Sequence, residues 1–222
     1  MSEIKVITNI LKTNEEVTAK NKQRLDEKNI YVLNLMSSPG SGKTSILEKV
    51  IGRLKNELRI AVIEGDIYTT KDAERIEAQG VEVVQINTGG ACHLDGDMIK
   101  GALDELNLDA IDLLVIENVG NLVCPAEFEI GEDIKISVLS TTEGNDKPLK
   151  YPLMFEKSSA VILNKVDLIE YTNFSKEEFY KDINALNSNA KIFETSCINE
   201  KGIEELCLWI NEKIMIKRGG IK

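Results

Sequence analysis

Ile30-Tyr31-Val32-Leu33-Asn34-Leu35-Met36-Ser37-Ser38-Pro39-Gly40-Ser41-Gly42-Lys43-Thr44 is the stretch that decides the fold of this chain. The run from Ile30 to Met36 has the length and β-branching of a buried strand. A glycine loop follows at once, and residues 45–54 have the periodicity of a helix. Strand, glycine loop and helix together are the context a P-loop requires. Glycines let the backbone wrap phosphate oxygens, and the helix N-terminus aims aligned N–H groups at them. Pro39, Gly40, Ser41, Gly42, Lys43, Thr44 and Ser45 are therefore the candidate phosphate-binding residues. Lys43 is placed to neutralise the β- and γ-phosphates, and the Thr44 hydroxyl to bind Mg²⁺. The motif's usual opening glycine falls at Ser37, where Ser37-Ser38-Pro39 keeps the loop small. A glycine-rich helix cap without a ligand is the competing reading, and the flanking strand and helix count against it.

Apolar runs recur at 59–63, 81–86, 111–116, 134–139, 159–163 and 190–193. Helix-like stretches fall between most of them, at 72–79, 95–106, 175–187 and 201–216. This alternation predicts an α/β fold of the P-loop NTPase kind, a mainly parallel sheet with helices on both faces. Gly65, Gly89-Gly90, Gly120, Gly144 and Gly202 stand where strands should end. Ligands of open α/β sheets sit at the carboxyl ends of strands, so these loops form one candidate site. Residues 1–28 are polar, and Ile4, Ile7, Ile10, Leu11 and Val17 suggest an amphipathic helix packed on a main body of residues 29–222.

Bulk properties exclude several classes. The chain has 222 residues, 42% hydrophobic and 29% charged, which is the composition of a soluble globular domain. A net charge of −10 argues against non-specific nucleic-acid binding, which needs cationic surface. No apolar run approaches the roughly 18 residues of a membrane span, and no signal-peptide core is visible, so a cytoplasmic location is expected. The cysteines at 92, 124, 197 and 207 are too scattered for a disulfide scaffold and should be thiols.

Val161-Ile162-Leu163-Asn164-Lys165-Val166-Asp167 is the second strong signal. An apolar strand feeding Asn-Lys-x-Asp resembles the guanine-specificity motif of GTPases. By that resemblance the Asp167 carboxylate accepts N–H bonds from guanine N1 and N2, a donor pair adenine lacks. Asn164 holds the loop, the Lys165 stem covers the ring, and Ser196-Cys197 supplies a backbone contact to the base. Glu117, followed by Gly120, resembles the Asp-x-x-Gly element, with Gly120 sensing the γ-phosphate. Asp66 ends another apolar run, and Asp66 and Glu117 are the acids expected to complete the shell of Mg²⁺ begun by Thr44, with Asp72 a further contributor. Lys43, Thr44 and Glu117 are the candidate catalytic residues. A solvated loop carboxylate or helix cap is the plain reading of each acid.

The only histidine, His93, stands beside Cys92 after Gly89-Gly90. Cys124 lies just past the suspected phosphate sensor, in Asn118-Val119-Gly120-Asn121-Leu122-Val123-Cys124-Pro125. Cys, His and Cys suit Zn²⁺ or Ni²⁺, and three ligands leave an open position or invite sharing across a two-fold dimer. Packing of small apolar thiols explains such residues as well, and the residues alone leave both readings open.

Taken together, the motifs resemble the nickel-insertion GTPases of hydrogenase maturation, the HypB family. The resemblance runs from about Ile30 to Trp209 and includes Gly65-Asp66, Ala91-Cys92-His93-Leu94-Asp95, Glu117 to Pro125, Glu143 to Pro152 and Asn164 to Asp167. It implies a P-loop fold that dimerises around nucleotide, slow hydrolysis of GTP to GDP, and nickel delivery to [NiFe]-hydrogenase. It also implies two partners beyond the homodimer, a HypA-type nickel chaperone and the hydrogenase large subunit. On the resemblance, Cys92, His93 and Cys124 are the Ni²⁺ or Zn²⁺ ligands at the dimer interface, and Lys147 contacts the partner subunit or its nucleotide. Many members add an N-terminal nickel site, yet residues 1–91 contain neither Cys nor His, so nickel storage is not expected of this stretch. No arginine finger stands out, because Arg24, Arg53, Arg59, Arg75 and Arg218 fall on helix faces or strand starts. The rival readings are a urease-type metallochaperone GTPase, which usually carries Cys-x-His, a P-loop kinase of small metabolites, and a nucleotide-regulated interaction module.

Overall fold

The computed structural model describes residues 9–219, with side chains described from Asn14 onward. Its strands are β1 (Tyr31–Ser37), β2 (Ile60–Asp66), β3 (Glu82–Asn87), β4 (Leu113–Glu117), β5 (Ile134–Ser140), β6 (Ala160–Asn164) and β7 (Lys191–Glu194). They form one sheet in the order β3-β2-β4-β1-β5-β6-β7, and every pairing is parallel. The expected mainly parallel sheet is thus wholly parallel among the described residues. Burial follows position in the sheet. Strands β1, β4 and β6 are buried at every residue, whereas the edge strands β3 and β7 are partly exposed. Covered faces explain why the central strands read as continuous apolar runs rather than alternating ones.

The helices are α1 (Asn9–Glu27), α2 (Lys43–Leu54), α3 (Lys71–Glu77), α4 (Gly96–Glu105), α5 (Cys124–Glu127), α6 (Lys147–Lys150), α7 (Pro152–Glu156), α8 (Lys176–Leu186) and α9 (Ile203–Lys217). Side chains of β1 alternate between the two faces. Leu33 and Leu35 pack with Ile46 and Val50 of α2 and with Leu206 and Ile210 of α9. Val32 packs on the other face with Leu25 of α1 and Ile99 of α4, and Met36 joins Phe155 of α7 and Phe179 of α8. Asn34 falls between those last two clusters, on the face of Val32 and Met36, and is fully buried.

The polar N-terminal segment is held by side chain to backbone bonds. Asn21 Nδ2 donates to Gly96 O at 2.8 Å, Gly96 N donates to Asn14 Oδ1 at 2.7 Å, and Thr18 Oγ1 donates to Glu129 O at 3.0 Å. The first two bonds fix α1 to the start of α4, and the third ties it to the loop after α5. Ile4 and Ile7, two of its expected apolar positions, lie outside the described residues.

Candidate nucleotide and thiol–imidazole sites

The loop between β1 and α2 is shaped by Gly40 and Gly42, whose φ values of 78° and 101° lie in the left-handed region. Gly42 also has no room for a side chain, since a Cβ there would stand 2.5 Å from Asn164 Nδ2. Asn164 is buried, donates to Ser41 O at 2.9 Å and accepts from Thr195 Oγ1 at 3.0 Å. Lys165 adopts a left-handed φ of 58°, rare for a residue with a Cβ, and its ammonium reaches back to Gly40 O at 2.7 Å. The Asn-Lys-x-Asp turn is therefore bound directly to the phosphate loop. Half-buried Asp167 lies in the first turn of a 3-10 helix over Val166–Tyr171. Beside it, Val166 N donates to Thr195 O at 3.1 Å, which brings Ser196 and Cys197 to the same corner.

A cleft of about 450 Å³ opens beside the loop, lined by Lys43, Thr44, Glu64, Asp66, Glu117 and Gly120 among others. Thr44 Oγ1 donates to Glu117 Oε1 at 2.8 Å, and Lys43 Nζ donates to Ser37 Oγ at 2.9 Å. Burial pushes the Lys43 ammonium below its ordinary range, against the pull of Glu117 and Glu64. Burial likewise raises the Glu117 carboxyl, opposed by Lys43 and the Thr44 bond. Gly120 rests against the loop, for a Cβ there would meet Pro39 N at 3.0 Å.

Three acids differ from the reading of the sequence in emphasis. Glu64, not singled out by pattern, is 2% exposed and pairs in register with Glu117 on the neighbouring strand. Its carboxylate lies within 4.8 Å of those of Asp66 and Asp72. Asp66 is occupied in part as a turn acceptor, taking N–H bonds from Tyr68 at 2.7 Å and Thr69 at 2.8 Å. Asp72 sits in the first turn of α3 and pairs with Arg75 at 3.0 Å. Glu64 Oε2 and Glu117 Oε2 are buried without a hydrogen-bond partner. Two adjacent buried carboxylates with orphan oxygens, flanked by the Thr44 hydroxyl, fit Mg²⁺, which takes few carboxylates besides phosphates and water. Arg75 also departs from expectation. It lines the cleft and donates to Ser45 Oγ at 3.1 Å and Glu48 at 2.6 Å, so its helix face is the one turned toward the cleft.

Glu64 gives the site a pH signature. Burial first, then the charges of Glu117 and Asp66, push its carboxyl from an ordinary 4.5 up to about 8. A raised value favours the neutral acid in the folded chain, so cation-free protein loses stability as pH rises between those values. The melting temperature of protein without Mg²⁺ or nucleotide should therefore fall from about pH 5 to 8, and Glu64→Gln should flatten the decline. Mg²⁺ with GDP should remove it in the native protein. Parallel slopes for Glu64→Gln and the native chain would contradict this.

A second cluster lies beyond Gly120. The loop after β3 carries Cys92 and His93, and Cys124 starts the one-turn helix α5 with Pro125 next to it. Cys92 Sγ is 3.1 Å from Cys124 Sγ and 3.6 Å from His93 Nδ1. The imidazole stacks on Phe128 with ring centroids 3.9 Å apart. Burial holds His93 below its ordinary range despite Asp95 and Glu127, which keeps the ring neutral and able to ligate. The thiol bond to Cys92, then burial, raises Cys124. The three ligand atoms lie within 4.8 Å of one another, a soft S, N, S set suited to Ni²⁺ or Zn²⁺. Cys197 and Cys207 stand apart. Cys197 is half-buried beside Asn164, and burial in the α9 packing pushes Cys207 up to about 11. Lys147 turns its ammonium onto its own chain, at 2.9 Å from Glu143 O and 3.0 Å from Asp146 Oδ1.

Fold and phosphate loop define a P-loop nucleotide-binding protein with a metal-competent cluster next to the nucleotide cleft. Residues 31–194 match the model of the CobW/HypB/UreG nucleotide-binding domain. The hydrogenase maturation factor HypB of Escherichia coli (strain K12) is 46% identical over 207 residues, covering 93% of this chain and 71% of that protein. The crystal structure of HypB from Helicobacter pylori in complex with nickel superposes with a TM-score of 0.87 at 43% identity, covering 91% of this chain and 95% of that one. The crystal structure of HypB from Archaeoglobus fulgidus gives a TM-score of 0.87 at 37% identity, covering 92% of this chain and 100% of that one. The chain belongs to the HypB family of hydrogenase maturation factors. The family resemblance read from the motifs is thereby confirmed over its rivals. Among the described residues, no helix is long and apolar enough to cross a membrane.

Proposed function

We propose that this chain is a GTP-hydrolysing metallochaperone that passes nickel toward [NiFe]-hydrogenase. The observation that carries the proposal is one short segment, Glu117 to Cys124, with Glu117 bonded to Thr44 at one end and Cys124 Sγ 3.1 Å from Cys92 Sγ at the other. Nucleotide and metal thus act on the same backbone. GTP seats with its phosphates on Pro39 to Ser45, its charge neutralised by Lys43, and its base read by Asp167, with Asn164 and Lys165 bracing the loop. Thr44, Glu117, Asp66 and Glu64 would hold Mg²⁺, which would supply charge neutralisation at the phosphates. Arg75 is tied to Glu48 and Asp72, an arrangement that keeps its charge off the γ-phosphate and supports slow turnover. Cys92, His93 and Cys124 hold the ion as cargo, and a second copy of the chain completes its coordination. The small HypA-type chaperone and the hydrogenase large subunit are the proposed donor and acceptor, in the cytoplasm. Helix α1, the described part of the N-terminal segment at 1–28, serves as an element packed on the main body.

Cys92→Ala and Cys124→Ala should each weaken Ni²⁺ binding by about 10-fold or more while GDP affinity stays within about twofold, measured by calorimetry. The site lies outside the phosphate loop, so only metal binding should change. Native-like nickel affinity in both variants would leave the thiols as packing groups and sink the metal reading.

A further inference from the structure

Four polar side chains, the first of them at the wall of the nucleotide cleft, run through the protein interior toward the thiol–imidazole cluster. Asn118 follows Glu117 at the end of β4, and its Oδ1 accepts from Leu94 N at 3.3 Å, the residue after His93. Asn118 Nδ2 donates to Asn34 Oδ1 at 3.2 Å, and Asn34 Nδ2 donates to Glu132 Oε1 at 3.0 Å. Glu132 lies 3.5 Å from Lys135 Nζ, with side-chain exposures of only 2% and 4%. The Lys135 ammonium donates to Phe128 O at 3.0 Å and Ala126 O at 3.3 Å, the carbonyls that end the turn begun by Cys124. The Phe128 ring then stacks under His93 at 3.9 Å. The path closes on itself, gripping His93 by its following amide and by the ring beneath it.

Such a path is poorly explained by stability. A buried ion pair and two buried carboxamides stabilise a core no better than apolar residues of similar size, because desolvation offsets their attraction. What they do is fix the relative positions of the segments they join. Those segments are the phosphate sensor at 117–120, the loop of Cys92 and His93, and the turn of Cys124 and Phe128. Resting on the reading that nucleotide and metal share loops, we propose that Asn118, Asn34, Glu132 and Lys135 form the relay that makes metal affinity depend on nucleotide state. Asn118 is its first positioning residue. A shift of the 118–120 backbone on contact with a γ-phosphate either draws the Leu94 amide along or releases it, and the Asn34 carboxamide transmits the same shift to the Lys135-held turn.

The test titrates Ni²⁺ into the full chain loaded with GDP or with a non-hydrolysable GTP analogue, for the native protein and for Asn34→Leu. Asn34 contacts neither ligand, so nickel stoichiometry and GDP affinity should be retained. The native affinities should differ between the two nucleotides on the order of tenfold, and in Asn34→Leu by less than about twofold. A ratio preserved in Asn34→Leu overturns the relay and leaves the shared-loop reading standing. A native ratio of one overturns both. Should Asn34→Leu fail to fold, hydrogen exchange of the Leu94 amide in the native protein decides. Its protection should change about tenfold or more between the two nucleotides, and equal protection overturns the relay.

Discussion

Lys43→Ala should lower GTP turnover by about 10²- to 10³-fold, the usual effect of deleting one preorganised charge at a site of charge development. The side chain is 8% exposed and already committed to the floor of the loop through Ser37, so it needs no reorganisation when phosphates arrive. It also offsets the repulsion between Glu64 and Glu117, which face each other across β2 and β4. The variant should therefore bind Mg²⁺-free nucleotide poorly and melt earlier than the native chain. Nickel binding without nucleotide should be unchanged, since Cys92, His93 and Cys124 sit beyond the cleft. Turnover within about twofold of native, by phosphate release, would remove Lys43 from the chemistry.

Asp167→Asn should cost about 10²- to 10⁴-fold in affinity for GDP and GTP. A carboxylate accepting from guanine N1 and N2 makes two charge-assisted bonds, each worth about 1.5–3 kcal/mol. An asparagine in its place presents an N–H against the guanine amino group, a donor facing a donor. Xanthine keeps N1–H and carries a carbonyl at C2, so the same variant should bind xanthosine diphosphate better than GDP. The loop itself should survive, because Asn164 and Lys165, not Asp167, tie it to Ser41 and Gly40. Unchanged preference for guanine over xanthine in Asp167→Asn would take base selection away from this residue.

Local rules made the strands, the phosphate loop and the Asn-Lys-x-Asp turn readable. Each depends on neighbours in the chain, such as an apolar run followed by glycines with left-handed φ. Cys92, His93 and Cys124 were readable as chemistry and, through the family resemblance, as one set, but residue spacing alone does not bring them together, since their approach requires β4 to lie between β1 and β2. Glu64 was missed for a related reason. An acid inside an apolar strand gives no periodic signal, and its meaning comes from Glu117 at the same level on the next strand. Asn34 and Lys135 carry the same faint mark, a polar residue in a buried strand. Arg75 looked like a helix-face arginine until the packing of α3 beside α2 turned that face to Ser45. Parallel strand order is set by tertiary packing, and pattern in one chain does not encode it.

The central claim is that nucleotide and metal act on one segment, and linkage makes it reciprocal. If GTP changes nickel affinity, nickel must change the preference for GTP over GDP by the same factor. The direct measurement is the ratio of dissociation constants for a non-hydrolysable GTP analogue and GDP, taken with metal-free and with nickel-loaded protein. The predicted result is a ratio that shifts on the order of tenfold when nickel binds, matching the shift in nickel affinity between the two nucleotides. A ratio that stays the same with and without nickel would contradict it.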